Sequence, residues 1–167
     1  DMQFLLFNNE IYGLTKGQYS PTSRPGTKSP STPLGSVDNA VSAASLAIGA
    51  GGRFVARSID TLQKHMPPVL KRAHQHPGAS FVEIFQNCIV YNDGAFGHFT
   101  NRDIAADHQI DVVHGEPLIF GTERNKGLRM KPGTMELEVV TIGEGGMSMD
   151  DVLVHDETNR TLASMLA

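Results

Sequence analysis

Asn8 and Asn9 close a short apolar run, residues 2–7, and open a polar stretch rich in Gly, Ser, Thr and Pro that continues to about Gly35. Those residue types at that spacing can hold a phosphorylated ligand through Mg²⁺. The ion takes hard oxygen donors in octahedral array, one or two from protein and the rest from phosphates or water. Asn9 offers an amide oxygen. The Ile11 carbonyl, two residues on, can reach the same ion if the backbone curls. Gly13, Thr15 and Gly17 then offer N–H groups and a hydroxyl to a diphosphate. The same asparagine pair also reads as an ordinary turn after a strand, a position asparagine favours. Lys16, Arg24 and Lys28 suit phosphate, CoA or a substrate carboxylate as well as they suit plain solvation.

Outside this loop the chemistry is sparse. Cys88 is the one cysteine. It fits a small buried hydrophobe, and no local signature marks it as a nucleophile. His74 and His76 lie two apart, so they share no helix face, and they suit a helix C-terminus, which favours cations. His65, His98, His108, His114 and His155 lack zinc-ligand spacing. Asp150-Asp151 reads as a calcium pair or, more simply, as a helix cap or turn. No residue is assigned as general acid or base.

The elements that must position the loop read as α/β. Residues 2–7 form a short continuous apolar run, the pattern of a buried parallel strand. Residues 40–50 predict a small-residue helix, with Asp38 or Asn39 as cap and Gly51-Gly52 as stop. Residues 54–57 and 80–85 predict further strands. Between them lies a helix that Asp60 caps, running to about His76, with Pro67 or Pro68 opening its second part. Strand, helix, strand, helix, strand implies a parallel sheet. A loop of this length at a strand's carboxyl end is where such sheets bind ligands. After Cys88 the pattern changes. Residues 86–107 read as irregular, 111–113 and 118–120 as a hairpin, 122–135 as a charged connection, 136–142 and 152–154 as strands, and 157–166 as a helix. A boundary near residue 105 divides a sheet-forming part, 1–105, from an extension, 106–167.

The 167 residues suit one domain, alone or extended, and 40% hydrophobic content supplies a core. A net charge of −4 and a pI near 5.9 leave no basic footprint for nucleic acid. No apolar run approaches the roughly 20 residues of a membrane helix. A single cysteine excludes an internal disulfide framework and fits the cytoplasm.

The run Phe7-Asn8-Asn9-Glu10-Ile11-Tyr12-Gly13-Leu14-Thr15-Lys16-Gly17-Gln18-Tyr19-Ser20-Pro21-Thr22-Ser23 is followed by Thr27-Lys28-Ser29-Pro30-Ser31-Thr32-Pro33-Leu34-Gly35. Together they resemble the β subunit of 2-oxoacid:ferredoxin oxidoreductases, most of all the 2-oxoglutarate type. Weaker echoes continue in Phe54-Val55-Ala56-Arg57, around Cys88, and in His114-Gly115-Glu116-Pro117-Leu118-Ile119-Phe120-Gly121. The resemblance implies that the loop is the second half of a thiamine diphosphate motif in which Asn9 and the Ile11 carbonyl ligate Mg²⁺. It further implies that Gly13, Leu14 and Thr15 lie nearest the diphosphate, and that Cys88 is the fourth thiolate of a 4Fe–4S cluster. The implied reaction is CoA-dependent oxidative decarboxylation of a 2-oxoacid to an acyl-CoA. The thiazolium ring would serve as electron sink, and electrons would leave singly to ferredoxin. The implied partner is an α subunit, in an α2β2 assembly. Asp1 runs directly into a strand pattern, so the chain is expected to be a piece of a longer protein. A Gly-Asp-Gly turn and three cysteines are expected upstream. Two other functions share the loop: a non-redox thiamine-dependent decarboxylase or synthase, and a non-catalytic nucleotide- or CoA-binding module.

Overall fold

A computed structural model describes residues 1–167, which divide into two units, Asp1–Phe96 and Gly97–Ala167. The sequence placed its change of pattern near residue 105.

The first unit is built on three parallel strands, β1 (Met2–Asn8), β4 (Phe54–Ile59) and β5 (Ala79–Phe85), in the order β1-β5-β4. The register sets Asn8 and Ile59 both opposite Phe85, so the three carboxyl ends are level. The asparagine loop leaves from that edge. Its first feature is a small antiparallel pair, β2 (Ile11–Tyr12) with β3 (Gln18–Tyr19).

Helices α1 (Ala43–Gly49) and α2 (Met66–Gln75) cover opposite sheet faces. Strand side chains alternate between faces. Val82 and Ile84 of β5, with Phe54 and Ala56 of β4, pack on Ala73, Val69 and Leu70 of α2. Glu83 and Arg57 point to the other face, where Arg57 reaches Ser42 at the start of α1.

Both helix starts differ from expectation. Ser42, not Asp38 or Asn39, caps α1, its hydroxyl accepting from the Ser45 N–H at 3.2 Å. Asp38 is occupied instead by the Tyr19 hydroxyl at 2.9 Å. Asp60 caps no helix, because α2 begins only at Met66, with Pro67 in its first turn. Proline lacks an N–H and is tolerated only there, so the prolines set the start.

Strand β1 is not buried in the way its apolar run implied. It pairs on one side only, and Met2, Phe4, Leu5 and Phe7 are all exposed.

The second unit holds short helices α3 (Gly97–Thr100) and α4 (Ala105–His108) in the stretch read as irregular. A three-stranded antiparallel sheet follows: β6 (Ile119–Phe120), β7 (Lys126–Met130) and β8 (Leu137–Thr141). The expected hairpin between 111–113 and 118–120 does not form. β6 pairs with β7, which lies inside the supposed charged connection. Residues 152–154 contribute a single bridge, Val154 to Pro117, after a 3₁₀ turn at Met149–Asp151. There Ser148 and Asp151 make a capping box, which settles the acidic pair as a turn. Helix α5 (Arg160–Leu166) starts at the Asn159 cap, and Leu118, Val152 and Leu162 form the core.

Candidate cofactor site

Asn9 is half-buried at the end of β1. Its Oδ1 accepts from the Ile11 N–H at 3.3 Å, leaving the second lone pair of that oxygen for another partner. Glu10, between them, has φ 55. Left-handed backbone is costly for a residue with a side chain and gathers at functional sites. Two of the three non-glycine residues with positive φ, Glu10 and Lys16, fall in this loop. The left-handed turn at Glu10 brings the Ile11 N–H to Asn9 Oδ1. Ile11 is buried in β2 opposite Tyr19, which fixes its backbone.

The hairpin tip follows. Lys16 N–H bonds the Gly13 carbonyl and Gly17 N–H bonds the Tyr12 carbonyl, both at 3.0 Å. The N–H groups of Gly13, Leu14 and Thr15 have no acceptor within the chain. Successive free N–H groups at a turn can together bind an anion. The Leu14 side chain is 99% exposed, so what it can offer an anion is its N–H. The Thr15 hydroxyl donates to the Tyr12 carbonyl at 3.2 Å. An open groove of about 510 Å³ lies alongside, lined in part by Tyr12, Gln18, Tyr19, Ser20 and Asp38. Its hydrogen bond to Asp38 raises the Tyr19 phenol above its ordinary 10.0.

Burial pushes Glu10 above its ordinary 4.5, Arg24 at 3.3 Å pulls it back, and Glu83 adds a smaller upward push. The Ser23 hydroxyl donates to the Glu10 carbonyl. The segment bearing Cys88 also reaches this loop. Asn92 N–H bonds the Cys88 carbonyl, and Asn92 Nδ2 donates to the Asn9 carbonyl, both at 2.9 Å. Tyr91 lies against Gly17, where an added Cβ would meet its ring at 2.9 Å.

Asn9, Ile11, Gly13, Leu14 and Thr15 thus lie along one strand-end turn and hairpin, with the Cys88 segment tied to it through Asn92. The donor set fits Mg²⁺ and a diphosphate, since it consists of hard oxygens and amide N–H groups. It does not by itself fit an iron–sulfur cluster. Cys88 is a half-buried free thiol, and no group of three or more His, Cys, Asp or Glu side chains comes together.

Residue type and spacing assign no role to Asn8, Arg57, Glu83 or Asn92. Glu83 carried a signal: a carboxylate within an otherwise apolar or small strand, Ala79–Phe85, must have buried partners.

A parallel sheet with this loop at its carboxyl edge defines a cofactor-binding α/β domain. The chain belongs to the family "thiamine pyrophosphate enzyme, C-terminal TPP binding domain", which matches residues 1–84, half of its length. It is 44% identical over 156 residues to 2-oxoglutarate oxidoreductase subunit KorB of Mycobacterium tuberculosis, covering 93% of this chain and 40% of that protein. It is 43% identical over 93 residues to the β subunit of 2-oxoacid:ferredoxin oxidoreductase 1 of Aeropyrum pernix, covering 56% of this chain and 29% of that subunit. Among solved structures it is similar to 2-oxoglutarate:ferredoxin oxidoreductase from Magnetococcus marinus, which was determined with 2-oxoglutarate, coenzyme A and succinyl-CoA bound. There the TM-score is 0.54 and the identity 38%, over 55% of this chain and 32% of that one. The resemblance drawn from the asparagine loop holds. The chain spans less than half the length of these relatives.

Proposed function

We propose that the chain forms part of the β subunit of a cytoplasmic 2-oxoglutarate:ferredoxin oxidoreductase. It works with an α subunit in an α2β2 assembly, makes succinyl-CoA from 2-oxoglutarate and CoA, and passes electrons to ferredoxin. Residues 1–105 are its half of the thiamine diphosphate domain, and 106–167 are a C-terminal extension. Thiamine diphosphate supplies the electron sink that decarboxylation of a 2-oxoacid needs. The part of this chain is to anchor that cofactor. Asn9 Oδ1 and the Ile11 carbonyl face Mg²⁺, while the N–H groups of Gly13, Leu14 and Thr15 take diphosphate oxygens. Cys88 is one thiolate ligand of a 4Fe–4S cluster completed by other residues of the enzyme.

The observation that carries this reading is the set of three free N–H groups at the hairpin tip, beside an asparagine whose amide oxygen has a lone pair to spare. The relatives support the redox chemistry over a non-redox thiamine enzyme, since ferredoxin stands in the names of both the Aeropyrum and Magnetococcus proteins. The test is Asn9→Ala in the complete enzyme, with thiamine diphosphate binding followed by calorimetry at fixed Mg²⁺. Affinity should fall at least about tenfold, the cost of one lost charge-assisted contact. An unchanged dissociation constant would sink the assignment.

A further inference from the structure

We infer that Glu83 is a positioning residue for the asparagine loop. Its carboxylate sets which way the Asn8 amide faces and, through Asn8, the curl that presents Asn9. The inference rests on the thiamine diphosphate reading above.

Glu83 is 2% exposed and Asn8 is 7% exposed. A carboxylate so placed requires partners. Arg57 Nε lies 2.8 Å from one oxygen, and Asn8 Nδ2 donates to the other at 2.8 Å. An ionised carboxylate accepts hydrogen bonds and donates none. The NH₂ side of Asn8 must therefore face Glu83, and Asn8 Oδ1 must face the loop. There it accepts from the Thr22 hydroxyl at 2.7 Å and the Glu10 N–H at 3.1 Å. Glu10 is the left-handed residue between Asn9 and Ile11. One carboxylate thus orients an amide, and that amide holds the residue on which the metal-side curl turns.

Stability alone does not call for this arrangement. A buried ion pair is often matched or bettered by apolar packing. What apolar residues cannot do is select between the two faces of an amide. Arg57 extends the same network, since its second guanidinium nitrogen donates to Ser42, the cap of α1, at 3.1 Å. The loop, the central strand and a helix start are thereby held by one charge pair whose carboxylate is buried.

The test compares wild type with Glu83→Gln, Thr22→Val and Thr22→Ser in the complete enzyme. Calorimetry reads the half-saturating Mg²⁺ for thiamine diphosphate binding, alongside the melting temperature without cofactor. Glutamine can offer either amide face to Asn8, so Glu83→Gln should raise half-saturating Mg²⁺ at least tenfold. Thr22→Val should raise it severalfold, and Thr22→Ser, which keeps the hydroxyl, should restore it. A purely structural role would lower the melting temperature and leave half-saturation alone, which overturns the inference. If Glu83→Gln does not fold, the Thr22 pair decides: equal values for Val and Ser overturn the inference. A wild-type enzyme without Mg²⁺-dependent binding overturns the proposed function itself.

Discussion

Asn92 holds the backbone of Asn9 from outside the loop. Its side chain reaches the Asn9 carbonyl and its own N–H reaches the Cys88 carbonyl, so the two segments are linked by hydrogen bonds. One such bond contributes about 0.5–1.5 kcal/mol net. Asn92→Ala should therefore weaken Mg²⁺-dependent thiamine diphosphate binding by roughly threefold to tenfold, measured by titration of the folded enzyme. Wild-type affinity in that variant would mean the brace is idle. At this scale, what was legible in the sequence was what is local. Asn9, Ile11, Gly13 and Thr15 sit within seven residues of sequence, so their proposed roles could be read together from the motif they form. The residues that hold them do not. Asn8 meets Glu83 across 75 positions, and Asn92 meets Asn9 across 83. Only pairing β1 with β5, which no short window encodes, brings these partners together.

Elements were legible where their periodicity was self-contained. β1, β4 and β5 stand where the short, mostly apolar runs put them, although β4 carries Arg57 and β5 carries Glu83. β7 was hidden. Lys126-Gly127-Leu128-Arg129-Met130 carries two charges and a glycine, and it reads as a connection. Its charges are satisfied, Arg129 across the sheet by Glu138 of β8 at 2.6 Å and Lys126 by Asp107 of α4 at 2.9 Å. Gly127 is there for packing, since a Cβ at that position would lie 2.5 Å from Val152 Cγ2. Val152 belongs to the core of the second unit, so neither side has room to yield. Gly127→Ala should destabilise that unit by about 1–3 kcal/mol, the usual cost of overpacking. Adding Val152→Ala should recover part of the loss, because the two sites share one contact and are not additive. Thermal melts of the single and double variants decide it. Strict additivity would show that the clash is relieved elsewhere.

At the scale of the whole molecule the two units carry opposite electrostatic signatures. In the second, Asp107 is held below its ordinary 3.8 by Lys126 and then Thr122, Asp151 by Ser148, and Asp156 by Thr158. A depressed carboxylate adds stability that is complete above its unfolded value and is lost as pH falls through its folded value. In the first unit Glu10 is raised above 4.5 by burial. Its sign is reversed: the stabilisation is complete below 4.5 and is lost as pH rises through the folded value, because the fold favours the neutral form. Two variants separate these effects. Asp107→Asn should melt below wild type at pH 7, and the gap should close once the pH falls below the depressed value. Glu10→Gln carries a neutral side chain of the same shape. It should melt at or above wild type at pH 7, and that advantage should disappear as the pH approaches 4.5 and wild-type Glu10 takes up its proton. Melting curves of both variants across about pH 3 to 7 read the two signs directly. A Glu10→Gln protein that melts lower than wild type at pH 7 would mean that the ion pair with Arg24 outweighs burial. The asparagine loop would then gain, rather than lose, from the charge beside it.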